Sequence, residues 1–153
     1  MRLAFCLAAL VLAMGFAASA QRPSSDPAAS PACALLTKED AAAALGEAAQ
    51  GPKAHSSTGG PSSCEYTGSG MHRVQVILRP FTAATAGVYK TMCAQKGKEG
   101  LSGLGDVTCW YNDKHEELQV LKGNAFFSIE LRKNGDPTEA IKGVARKVYE
   151  RLK

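Results

Sequence analysis

Cys33, Cys64, Cys93 and Cys109 are the residues of this chain best suited to chemistry, either as a disulfide framework or as thiolate ligands. Structural zinc sites usually draw cysteines from close C-x-x-C pairs, and none occurs here, so pairwise oxidation is the expected state. Four cysteines allow three connectivities, and spacing alone does not choose among them. Pairing Cys33 with Cys64 and Cys93 with Cys109 is preferred, because each bridge then ties a helix, or the chain leading into it, to a neighbouring strand. In the loop-entropy account each would contribute about 3 kcal/mol, less any strain. Oxidation would also remove all four thiols from nucleophilic duty.

The other reactive side chains do not converge. His55, His72 and His115 lack the i, i+4 spacing of a helical metal site, and His115 falls in an expected hairpin turn, so no metal and no cofactor is expected. No serine sits in a G-x-S-x-G elbow. Glu116 and Glu117 are adjacent on a strand and point to opposite faces. An enzyme is therefore not expected. Gly103-Leu104-Gly105-Asp106 has the look of an anion cradle, but a strand follows it where a helix N-terminus would be needed. A sharp turn with glycines at positive φ accounts for it better, with Asp106 bonding the turn backbone.

Two aromatic pairs carry the main functional expectation. Trp110-Tyr111 and Phe126-Phe127 lie on strands, so one member of each pair should leave the helix-covered face. Outer aromatics clustered on an open sheet would form a recognition surface, with Trp110 and Tyr111 as anchors and Phe126 or Phe127 beside them. The competing account is that a loop over Glu47–Ser63 covers them. A basic arc on the final helix, Lys142, Arg146 and Lys153 with Arg151 and Lys147 wider, could meet anionic lipid or an acidic partner, but Glu139 and Glu150 interrupt it and it reads as a solvated face.

These residues are positioned by a simple run of elements. Thr37 caps a short Ala-rich helix with acids in its first turn and Gly46 at its end. Cys64–Thr67 and His72–Arg79 form two strands, the second with Val74, Val76 and Leu78 on one face. Thr82–Lys96 reads as a helix with Val88, Tyr89, Met92 and Cys93 along one stripe. Val107–Tyr111, Glu117–Lys122 and Ala125–Arg132 form a meander closed by Gly123-Asn124. Asp136-Pro137-Thr138-Glu139 starts a last helix whose apolar stripe runs Ile141, Val144, Ala145, Val148, Tyr149, Leu152. The order α-β-β-α-β-β-β-α predicts an α+β fold, a mostly antiparallel sheet of about five strands with helices on one face.

The N-terminal 20 residues, with Arg2, an apolar run from Leu3 to Phe16 and Ala18-Ser19-Ala20, have the three parts of an export signal cleaved after Ala20. Residues 21–32 hold three prolines and no large apolar side chain and are expected to be a disordered leader. Residues 33–153 then form a single disulfide-stabilised domain, periplasmic or secreted, without stable membrane insertion. Loss of Arg2 takes the basic count from 18 to 17 against 14 acids, a formal charge of +3. That mild excess, with no basic run interleaved with aromatics, argues against nucleic acid as a partner.

Cys33-Ala34-Leu35-Leu36-Thr37, Cys64-Glu65-Tyr66 and Gly103-Leu104-Gly105-Asp106 together resemble a pattern found in small exported bacterial cell-envelope domains of unknown function. Their pattern runs C-x-L-L-T, then C-x-Y or C-x-W, then G-L-G-D, and many are lipoproteins. The resemblance implies pairing of the first two cysteines. The chain departs from it in lacking a lipid-acceptor cysteine, and no activity comes with it. The expected function is non-enzymatic binding of a protein or small-molecule partner in the envelope through the open sheet face. The alternative is a metal or small-anion binder using the histidines or the Gly103–Asp106 turn.

Overall fold

Alternating apolar residues on two strands set the centre of the molecule. In β3 (Arg73–Pro80) and β6 (Ala125–Arg132), Val74 lies opposite Leu131 and Val76 opposite Ile129, all fully buried. A computed structural model describes residues 30–95 and 100–152. Around this pair it places α1 (Pro31–Leu35), α2 (Lys38–Leu45), β1 (Gln50–Ser56), β2 (Ser62–Thr67), α3 (Ala83–Cys93), β4 (Val107–Trp110), β5 (Glu117–Lys122) and α4 (Thr138–Arg151). The strands form one antiparallel sheet in the order β1-β2-β3-β6-β5-β4. The class is α+β, as the element pattern requires.

The main core lies between one face of this sheet and α1, α2 and α4. Phe127, Ile129 and Leu131 of β6 and Leu118 and Val120 of β5 meet Ile141, Val144, Ala145 and Val148 of α4 there. Burial of each large apolar side chain contributes about 1.5–3 kcal/mol. The helix ends follow from local chemistry. Thr37 Oγ1 accepts from the Asp40 N–H at 3.2 Å, and Gly46 closes α2 in the left-handed conformation at φ 76°. α4 starts at Thr138 with Pro137 at the N-cap, one position later than an Asp136 cap would place it, and Asp136 Oδ1 accepts from the Thr138 N–H at 2.9 Å. Glu139 pairs with Lys142 at 2.8 Å and does not close a capping box.

Several sequence expectations are corrected. The sheet has six strands: the stretch over Glu47–Ser63 contains β1, an edge strand with no buried residue, which left no apolar signal to read. A one-turn α1 precedes the expected first helix, and Ser30 and Ala32 are buried, so the leader expected over residues 21–32 does not extend through Ser30–Ala32. Ser30 Oγ donates to Ser63 O at 3.1 Å and Cys33 is bridged to Cys64; these tertiary contacts order a segment too short to be helical alone. The expected leader over 21–29 and the export signal over 1–20 lie outside the described residues.

The helices do not all share one face. Ala86, Tyr89 and Cys93 of α3 pack on Cys109, Leu121 and Phe126, which point to the side of the sheet opposite the main core. The stripe is therefore rotated from the expected one. Tyr89 and Cys93 face inward, whereas Val88 and Met92 are exposed.

Candidate functional site

Both disulfides pair as preferred, one on each face of the sheet. Cys33 and Cys64 (Cα–Cα 4.9 Å) tie α1 to β2 within the main core, and Cys93 and Cys109 (5.4 Å) tie the end of α3 to β4 on the other side. The second bridge closes a small aromatic cluster. Phe81 stacks on Phe126 with ring centroids 4.6 Å apart, Tyr89 meets Phe126 edge-on at 5.2 Å, and the Tyr89 hydroxyl lies 3.5 Å from Cys109 Sγ. Burial there, with Glu117 nearby, raises the Tyr89 phenol above its usual range, so it stays protonated.

The aromatic pairs alternate between faces as strand geometry demands, but the four do not form one patch. Trp110 is only 4% exposed, turned into the main core and stacked on His115 at 4.5 Å. Phe127 lies in the same core. Phe126 faces the other way and is covered by α3. Tyr111 alone of the four is open, at 58% exposure. The cover is thus α3 and the helical layer, in place of the loop expected over Glu47–Ser63. Trp110 and Phe127 are thus buried in the main core, and Phe126, though covered by α3, keeps an edge on the cavity beside Tyr111.

Beside Tyr111 the uncovered part of this face forms a shallow cavity of about 270 Å³, with Ile77, Arg79, Gln119 and Ser128 among its walls. Glu117 accepts from Gln119 Nε2 at 3.0 Å and fixes that amide. Further along, Arg73 pairs with Glu130 at 2.8 Å and Glu65 at 3.7 Å, and Arg132 pairs with Glu130 at 2.7 Å. Burial raises the Glu130 carboxyl, but the guanidinium bonds outweigh it and the net shift is downward. This ladder neutralises itself, and Tyr111, Ile77 and Arg79 border the other end of the face, where among the described residues Arg79 takes part in no ion pair.

The histidines are separated. His55 lies on β1, His72 Nδ1 is 2.7 Å from Glu47 Oε1, and His115 stacks on Trp110. Among the described residues no three His, Cys, Asp or Glu side chains gather where a metal could sit. Gly103 and Gly105 take φ of 74° and 71°, the conformation expected of the turn. The Asp106 N–H donates to Leu121 O at 2.7 Å and its carboxylate accepts from the Gly123 N–H at 2.8 Å, so the turn is spent on bracing the β5–β6 hairpin. On α4, Lys147 and Arg151 turn toward Asp40 and Lys142 toward Glu139, so most of the basic arc is engaged within the chain. Lys153 lies outside the described residues.

Two features were not visible in the sequence. Glu47 accepts from the Ser69 N–H at 3.0 Å and the Ser69 hydroxyl at 2.6 Å, and with His72 these bonds pull its carboxyl down to about 2. A larger cavity of about 620 Å³ opens at the end of the sheet–helix layer, against the β1–β2 turn and the two ends of the described chain. Its walls come from five separated segments, and no local pattern marks them. Compared with known proteins, the chain matches no family model, no curated sequence and no solved structure.

Proposed function

We propose that this chain is a non-enzymatic, exported cell-envelope protein that binds a protein or small-molecule partner on the uncovered part of its second sheet face. The observation that carries the reading is Tyr111, a large aromatic left 58% exposed at the end of a strand pinned by a disulfide, beside the Ile77–Ser128 cavity. Tyrosine offers wide contact area at low conformational cost, and a fixed strand end keeps that cost low. Export is supported by the two disulfides, which persist in oxidising compartments. Among the described residues no helix is long and apolar enough to cross a membrane. The C-x-L-L-T, C-x-Y and G-L-G-D resemblance points to the same compartment.

The test is capture from envelope extract by the purified protein and by Tyr111→Ala and Gln119→Lys variants whose near-UV circular dichroism matches the parent. A specific partner retained by the parent and lost by both variants supports the reading. Equal capture by all three sinks it.

A further inference from the structure

We infer that the cavity of about 270 Å³ beside Tyr111 takes a small zwitterion, a dipeptide with both ends free, whose carboxylate meets Arg79 and whose ammonium meets Glu117. The inference rests on the sheet-face reading and names the ligand class of that same site. A volume below the roughly 300–1,000 Å³ of drug-sized pockets keeps the occupant small. Ile77, Phe126 and Tyr111 supply an apolar and aromatic floor between the two charged walls. Such a floor suits the side chain of an apolar residue carried between the two charged ends.

Both charges are what the arginine ladder leaves over. Glu117 lies directly opposite Glu130 in the β5–β6 register, yet Arg73 and Arg132 both pair with Glu130, and Arg73 reaches on to Glu65. Glu117 keeps only the neutral Gln119 amide beside it. Arg79 lies opposite Phe126 and shares its face, and among the described residues neither Arg79 nor Glu117 takes part in an ion pair. Their places in the sheet keep them from pairing with each other. β6 stands between β3 and β5, and Glu117 is four residues from Leu121, the β5 partner of the same Phe126. Strand spacings of about 4.8 Å and a rise of about 3.4 Å per residue set their Cα atoms roughly 17 Å apart. The two side chains line one cavity from its two sides and close part of that span.

A ligand with opposite charges at its two ends completes both groups at once. The guanidinium can hold a carboxylate through paired charge-assisted bonds, and Glu117 accepts from an ammonium. Gln119 donates its Nε2 to Glu117 and leaves its carbonyl oxygen as an acceptor for the ligand's peptide N–H. A simple anion would match Arg79 and leave Glu117 as it is.

The experiment is calorimetric titration of the purified full chain with three probes: the dipeptide Ala-Phe, its N-acetylated form and its C-terminal amide. Saturable binding of Ala-Phe is expected, weakened about fivefold when either end is masked, as suits an exposed guanidinium and a partly buried carboxylate. Glu117→Gln should weaken Ala-Phe about fivefold and leave the acetylated peptide unchanged. Arg79→Gln should weaken Ala-Phe about as much and leave the amide unchanged. The masked peptides test the parent alone, so the outcome does not hang on the folding of a variant. Silence toward Ala-Phe, equal binding of all three peptides by the parent, or variants that weaken all three alike would overturn the inference. Capture of an envelope partner that depends on Tyr111 and Gln119, alongside silence toward Ala-Phe, would overturn this ligand class and leave the sheet-face reading standing.

Discussion

Lys147 Nζ donates to Asp40 Oδ1 at 2.7 Å, joining α4 to α2 across 107 positions of sequence. Arg151 reaches the other carboxylate oxygen and also donates to Leu35 O at 2.9 Å, so one buried acid organises three helices. Burial by itself would raise the Asp40 carboxyl, but the bonds from Arg151, Lys147 and Thr37 overcome it and hold the group far below the usual carboxylate range.

Acid should therefore loosen the molecule at this point. A carboxyl whose pKa is lower folded than unfolded contributes stability that is complete above about pH 4, where the unfolded carboxyl is ionised. That contribution fades as pH falls further toward the folded value. Urea midpoints measured between pH 7 and pH 2 should fall below pH 4 in the parent and fall less in Asp40→Ala. At pH 7 that variant should lose about 3 kcal/mol, since it strands two cations beside a buried gap. A variant with the parent's acid slope would show that Asp40 does not carry it.

Gly105→Ala should be costly for two separable reasons. The residue sits at φ 71°, and a Cβ there would run into Leu121 O and come within 2.9 Å of Val120 Cγ1. Together the strain and the clash with backbone predict a loss of about 2 kcal/mol or more. Gly103→Ala has the same backbone conformation with open space around it, so its loss should be near 1 kcal/mol. Equal midpoints for the two variants would refute the packing argument.

The disulfides should fail differently. α3 rests on a small cluster under one corner of the sheet, so replacing Cys93 and Cys109 by Ala is expected to free α3 while leaving the β3–β6 pairing intact. Hydrogen exchange should quicken across Ala83–Cys93 and stay slow in Val74–Val76 and Ile129–Leu131. Replacing Cys33 and Cys64 by Ala opens the main core and should lower protection throughout, at a cost of about 3 kcal/mol. Uniform loss in both double variants would contradict this division.

Much of the fold was legible because its strands bury one face. Val74, Val76 and Leu78 against Gln75 and Ile77 announce β3, and Gly123-Asn124 marks the hairpin that follows β5. β1 was not legible, since Gln50–Ser56 pairs on one side only and buries nothing. The face of α3 was misread because Val88 and Met92 are as apolar as the residues that do face inward, and a helix covering one corner of a sheet needs only Ala86, Tyr89 and Cys93. For the site, alternation told that one aromatic of each pair would leave the main core but not which one, and Trp110, expected as an anchor, lies inside. Nor could alternation tell that α3 would lie over Phe126 and leave Tyr111 bare, because that depends on where a helix docks in space.

Pro31 and Leu152 stand on the wall of the same cavity. The described chain thus almost closes on itself, and its topology is nearly that of a ring. A short Gly/Ser tether could span that mouth, with fresh ends cut at the Gly70-Met71 turn between β2 and β3. Every strand would keep its neighbours in such a circular permutant.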